Sequence, residues 1–300
     1  MEHIKKPEWL KINIGTNPRY TETKRIVDTH RLHTICSSGR CPNLGECWGK
    51  GTATFLIGGN ICTRSCKFCN TPTGKPLPLD TNEPTRVAES IRLMKLNHAV
   101  LTSVDRDDLS DFGAEHWVKT IQAIRQLNPQ TTLEALIPDF QGKEELIRQV
   151  TDTKPDIVSH NLETVRRLTP SVRSVARYET SLRVIHIIAD SGVTAKSGIM
   201  VGLGETETEV AETMDDLLEN GSDTDYRTIS ATYPETLSGS CLYYSRTICF
   251  LQRNSTSKRF PPGRKWSFGT LILLCRKTNP TVLNLLMYEI VTYVYRLTEK

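Results

Sequence analysis

The chain lacks a long apolar run free of charge. Its nearest approach, Thr281 to Leu297, contains Glu289, three tyrosines and Arg296, and is too polar to cross a bilayer. A strong net charge is also missing: +4 over 300 residues does not by itself point to nucleic acid. No internal repeat or low-complexity linker is present. Met1 to Asn17 has neither a continuous apolar core nor a secretory cleavage site, and it lacks the arginine- and serine-rich character of a transit peptide. These absences predict a cytoplasmic protein with no membrane or nucleic-acid partner. In a reducing compartment a disulfide framework is not expected.

What the chain does have is cysteine, concentrated near its start. Six cysteines fall between residues 36 and 69, in two triplets of different spacing. The first is Cys36, Cys41 and Cys47. The second is Cys62, Cys66 and Cys69. Structural zinc takes four tetrahedral ligands, commonly in paired Cys-x2-Cys arms, and neither triplet has that form. Thiolates are soft ligands suited to iron–sulfur clusters. Two sets of three imply two metal centres, each with one position that cysteine does not fill. An open position is where chemistry can take place.

The body of the chain alternates short apolar runs with amphipathic stretches, the pattern of a parallel β/α fold. Strands are predicted at Ala53 to Ile57, Ala99 to Ser103, Thr132 to Ile137, Asp156 to Ser159 and Gly198 to Gly202. Helices are predicted at Pro84 to Leu96, Trp117 to Leu127, Lys143 to Val150, Arg173 to Asp190 and Glu207 to Glu219. Five β/α units in order give a barrel or part-barrel, whose functional groups gather at the C-terminal ends of the strands. Several predicted strand ends carry polar clusters: the Cys62 triplet, Asp105 to Asp108, His160 with Asn161, and Gly202 to Glu205.

The spacing of Cys62, Cys66 and Cys69, with Phe68 before the last cysteine, resembles that of the radical S-adenosylmethionine enzymes. The Cys36, Cys41 and Cys47 spacing is similar to the second-cluster set of the lipoyl synthase family. Thr102 to Leu109, His160 to Thr164 and Lys196 to Glu205 resemble further segments of that family. Phe112 departs from it, standing where the family has glycine. The likeness runs over roughly residues 8 to 222. It implies a partial (β/α)6 TIM-type barrel with two 4Fe–4S clusters and S-adenosylmethionine. It makes Cys62, Cys66 and Cys69 catalytic, with Phe68, Asn161, Glu163, Lys196, Gly202 and Glu205 around the cofactor. The implied reaction inserts two sulfur atoms at C6 and C8 of an octanoyl group. That group is carried by a lipoyl carrier domain or the glycine cleavage H protein, and a reducing partner supplies electrons. Another radical sulfur-inserting reaction is the alternative within the class.

The likeness ends abruptly. Past Asp223 the family continues with a strand of the type Leu-x-Ile-Gly-Gln-Tyr-Leu-Gln-Pro-Thr and ends in Arg-Ser-Ser-Tyr, whose serine completes the second cluster. Neither is present. Thr224 to Thr236 can, however, be back-translated so that a one-base forward shift reads Leu-Ile-Ile-Gly-Gln-Tyr-Leu-Gln-Pro-Thr-Arg-Lys-His. Gly269 to Cys275 shifts in the same way to Val-Arg-Ser-Ser-Tyr-Tyr. In each shifted codon the wobble base becomes the middle base, and the outer bases are largely fixed by the visible residues. Composition changes at the same place. Residues 224–300 hold eleven Lys/Arg against four Asp/Glu, a net of +7, leaving −3 for the rest. The expected organisation is an N-terminal extension over 1–50 carrying the first triplet, a barrel over 51–223 with its sixth strand disrupted, and an out-of-frame tail over 224–300. On that reading the literal chain is catalytically impaired, and Cys241, Cys249 and Cys275 bind nothing.

Overall fold

The structure, a computed structural model, describes residues 18–30, 34–38, 44–200 and 203–222, and the backbone of four short strands at 224–227, 231–232, 241–245 and 271–275. Three helices come first: α1 (Pro18–His30), α2 (Ile35–Ser38) and α3 (Leu44–Gly49). A parallel series follows: β1 (Thr52–Ile57), α4 (Glu83–Leu93), β2 (His98–Ser103), α5 (Ala114–Leu127), β3 (Thr132–Leu136), α6 (Glu144–Thr151), β4 (Ile157–Ser159), α7 (Thr169–Val172), α8 (Tyr178–Asp190), β5 (Thr194–Ile199), α9 (Glu207–Glu219) and β6 (Thr224–Arg227). The six strands pair in sequence order, each parallel to the next. Among the described residues β1 and β6 are the two edges of the sheet, so it is an open part-barrel, as expected.

Alternation builds the two faces. Along β1, Ala53, Phe55 and Ile57 are buried while Thr52, Thr54 and Leu56 are half-buried, the period of two that a strand imposes. The buried set joins Leu101, Leu133, Ala135 and Val158 against Trp117, Ile121 and Ile124 of α5 and Ile147 of α6. Each Val, Leu, Ile or Phe side chain among them contributes about 1.5–3 kcal/mol by leaving water. Residues between the core positions face the other, concave side. There Glu134 and Lys196 form an ion pair at 2.8 Å, Ser159 Oγ donates to Glu134 at 2.7 Å, and His98 stands 3.9 Å from the same carboxylate.

Helix α4 ends at Leu93, not Leu96, and α5 begins at Ala114, not Trp117; three larger departures from the sequence expectation each have a local reason. Strand β5 runs Thr194–Ile199, not Gly198 to Gly202. Gly192, at φ 77°, reverses the chain just after α8, so extended structure begins early, through polar residues that face the concave side. Helix α8 starts at Tyr178, not Arg173. The chain leaves α7 at an extended Arg173, whose guanidinium reaches back to Leu162 O and Ser181 Oγ. Third, the sixth strand, expected to be disrupted, pairs over four residues, Thr224–Arg227, with the far edge of β5. Ladder hydrogen bonds need an extended backbone and no particular side chain. Beyond it, β7 (Ala231–Thr232), β8 (Cys241–Ser245) and β9 (Leu271–Cys275) form an antiparallel three-stranded sheet. The side chains of Cys241, Leu271, Ile272 and Cys275, and all of Cys249, lie outside the described residues. Among the described residues no helix is long and apolar enough to cross a membrane.

Candidate functional site

The loop between β1 and α4 carries the second cysteine triplet, at the C-terminal end of the sheet. It opens on Gly58 and Gly59, whose φ values of 80° and 105° lie where side chains are disfavoured. Gly58 N donates to Glu83 at 2.7 Å, and His116 Nε2 lies 2.6 Å from the same carboxylate oxygen. Gly58 O accepts from Arg106 at 3.0 Å. Further on, Thr63 N and Oγ1 both donate to Asp105 O, Ser65 N donates to Ser174 Oγ, and Lys67 N donates to Val172 O. The loop is therefore fastened to the ends of β2 and α7 along its length.

None of the five described early cysteines, Cys62, Cys66 and Cys69 among them, is in a disulfide. Cys62 is buried, Cys66 half-buried and Cys69 exposed. Burial, with help from Asp105, pushes the Cys62 thiol up to about 11, and burial also raises Cys66. A bound metal inverts this, since a coordinating thiol is deprotonated outright. Amide hydrogens already point at the sulfurs. Cys62 Sγ accepts from Arg64 N at 3.4 Å and Asp105 N at 3.3 Å, and Cys69 Sγ accepts from Thr71 N at 3.4 Å. Such bonds stabilise thiolate charge and tune iron–sulfur centres. Among the described residues no three ligating groups converge as a single ion requires. That is compatible with a cubane, in which each thiolate binds a different iron. The donor set fits a three-cysteine cluster.

Around this loop the structure gathers part of the predicted set. Glu163, at φ 68°, is fastened by backbone bonds to Gly198 and Met200. Burial raises its carboxyl, opposed by Arg173 and by a hydrogen bond from Asn161. Phe68 is half-buried within the loop. Lys196 holds Glu134 instead of standing alone at the mouth. Glu205 accepts from Leu203 N at 2.8 Å, closing its own turn. Of the first triplet, Cys36 is buried on α2 and Cys47 half-buried on α3. Cys41 and Gly202 lie outside the described residues.

The sequence reading did not single out Arg64 or Arg173. Arg173 is buried and its Nε has no partner. Its charge acts on Cys66, Glu163 and Asp105. A buried, unsatisfied guanidinium N–H is costly, and a carboxylate-bearing ligand beside Cys66 would satisfy it. No spacing rule marks either arginine; only their burial does.

His160 gives a pH signature. It is buried between Ile137 O and Ser181 Oγ, and burial, reinforced by Arg173, pulls it down to about 4 from the ordinary 6.5. A base depressed in the folded state contributes full stability above its unfolded value and loses it as pH falls toward the folded one. At 1.36 kcal/mol per unit, stability should drop on the order of 3 kcal/mol between about pH 6.5 and 4. The raised carboxyls of Asp105 and Glu163 work in the opposite sense, so the test is comparative. Urea midpoints at pH 7 and 4.5 should converge in His160→Gln relative to the parent. Equal acid sensitivity in both proteins would refute the assignment.

A β1 loop bearing Cys62, Cys66 and Cys69 over a part-barrel defines a class. The family model of the Radical SAM superfamily matches residues 56–217, and the chain belongs to that superfamily, whose members use a 4Fe–4S cluster and S-adenosylmethionine. Within it the chain belongs to the lipoyl synthase family. It is 75% identical over 221 residues to a lipoyl synthase of Phocaeicola vulgatus, covering 74% of this chain and 78% of that one. It is 66% identical over 221 residues to one from Porphyromonas gingivalis, covering 73% and 78%. The likeness to one from Treponema denticola is 61% over 213 residues, covering 71% and 73%. Among solved structures, Streptococcus suis SuiB bound to precursor peptide SuiA shares the fold. Its TM-score is 0.50 at 11% identity, covering 75% of this chain and 47% of that one.

Proposed function

We propose that the Cys62, Cys66 and Cys69 thiolates hold the 4Fe–4S cluster and that Cys36, Cys41 and Cys47 hold a second one. With S-adenosylmethionine, the first supplies one-electron chemistry able to take hydrogen from an unactivated C–H bond. The residues of this chain position and exclude. Arg173, with its unpartnered Nε, and the Asn161–Glu163 pair face the cofactor's polar groups. Phe68 and the Lys196 to Glu205 segment, Gly202 included, complete its surroundings. The substrate is an octanoylated carrier domain or glycine cleavage H protein, the product its lipoyl form, the electron source a reducing protein, and the compartment the cytoplasm. The observation that carries this reading is the β1 loop, with two amides aimed at Cys62 Sγ.

The domain reading is part of the proposal: an extension over 1–50, a barrel over 51–223, and a tail over 224–300 encoded out of frame. The matches of 221 residues in a chain of 300 support it, because a shifted frame destroys likeness from one point onward. The literal chain would then bind clusters and cleave S-adenosylmethionine yet insert sulfur poorly. Anaerobic reconstitution should give iron and sulfide for two 4Fe–4S centres. Replacing one triplet with alanine should leave the absorption of the other. Stoichiometric zinc without sulfide would refute the proposal.

A further inference from the structure

Arg64 lies between Cys62 and Cys66 and is 5% exposed. Its Nε and Nη2 donate to Asp107, both at 2.7 Å. Nη1 and Nη2 donate to Asp139 at 2.8 and 2.9 Å. Nη1 also stands 3.3 Å from Asp105. Asp105 and Asp107 follow β2, and Asp139 follows β3. One planar fork thus joins the cysteine loop of β1 to the ends of the next two strands, a bidentate geometry that lysine cannot reproduce. The amides donating to Cys62 Sγ belong to Arg64 and Asp105, two residues that this ion pair joins. The Asp105 carboxyl lies 3.7 Å from the same sulfur. Three carboxylates crowd one cation beside one ligand.

We infer that Arg64 is a positioning residue that sets the reduction potential of the Cys62 centre, by fixing the two amides on Cys62 Sγ and offsetting the carboxylates behind them. This rests on the reading that Cys62, Cys66 and Cys69 hold a 4Fe–4S cluster. Reduction adds negative charge. Amide bonds to sulfur and nearby positive charge favour it, while nearby carboxylates oppose it. Loss of Arg64 acts through both routes in one direction. Loss of a carboxylate charge at the far side of the fork acts in the other.

The test is an anaerobic redox titration, followed by electron paramagnetic resonance, of the full chain carrying Cys36→Ala, Cys41→Ala and Cys47→Ala, so that one cluster is read. Arg64→Gln should lower the reduced-to-oxidised ratio at fixed potential roughly tenfold, a shift of about 59 mV for one electron. Arg64→Lys, which keeps the charge without the fork, should fall between the two. Asp139→Asn should shift the potential upward. A residue that merely held the fold would cost iron in every variant and give no opposite signs. An unshifted potential in cluster-loaded Arg64→Gln would overturn the inference. So would a fall or no change in Asp139→Asn, which decides alone where Arg64→Gln takes up no iron. A parent that takes up no iron would instead overturn the cluster reading beneath it.

Discussion

Alanine at Cys62, Cys66 or Cys69 should reduce cleavage of S-adenosylmethionine to 5′-deoxyadenosine to the uncatalysed background, while alanine at Cys36, Cys41 and Cys47 together should leave it near the parent level. The asymmetry follows from where the two triplets sit. Cys62, Cys66 and Cys69 are on a loop at the C-terminal end of the sheet, fastened to the ends of β2 and α7, where a part-barrel gathers its chemistry. Cys36 and Cys47 are on α2 and α3, ahead of the sheet. Quantifying 5′-deoxyadenosine in reconstituted variants with dithionite checks this. Equal loss from both replacements would refute the division of labour.

The second large effect concerns the tail. Deleting or inserting the base that restores the family frame after Asp223 should convert a chain with little or no sulfur insertion into one that turns octanoyl carrier into lipoyl carrier. Mass spectrometry of the carrier would read the product. Two physical reasons support the direction. In the literal frame Thr224–Arg227 supplies only four residues to the edge of β5, and the Gln-Tyr-Leu-Gln-Pro-Thr strand of the family is absent. The Arg-Ser-Ser-Tyr segment is also absent, and Leu271 and Ile272 offer no oxygen to a metal. The restored protein should melt at a higher temperature, because a longer final strand covers more of the sheet edge and its apolar face. Equal lipoyl formation by both chains would remove the functional meaning of the shift. The nucleotide sequence across codons 224 to 237 tests it directly.

Much of the architecture was legible because it rests on local rules. The boundaries of α9 are as expected, since Thr206 and Glu209 form a reciprocal capping box at its start. Strands β1 to β4 fall within a residue of their expected limits because their apolar faces alternate or run continuously between turn residues. The apolar run Ile199 to Val201 draws the expected fifth strand toward its C-terminal side, away from the observed Thr194–Ile199. That strand's true residues, including Thr194 and Lys196, are polar because they face the concave side, a fact invisible without the neighbouring strands. Arg173 and its neighbours have acceptable helix propensity, which extends the expected helix ahead of the observed start at Tyr178. The tertiary demand that Arg173 reach Ser181 overrides that preference.

Sequence alone singled out the candidate ligands, because ligand chemistry is a property of side-chain type and local spacing, and six cysteines within 34 positions are a dense set of soft donors. It also determined the family and the order of β/α units. Only the tertiary structure decided what surrounds the thiolates. Arg64 meets Asp139 across 75 positions, Asp105 N reaches Cys62 across 43, and Lys196 meets Glu134 across 62. Such partners carry no periodic signature, because they are brought together by parallel strand pairing, in which residues distant in the chain share one end of the sheet.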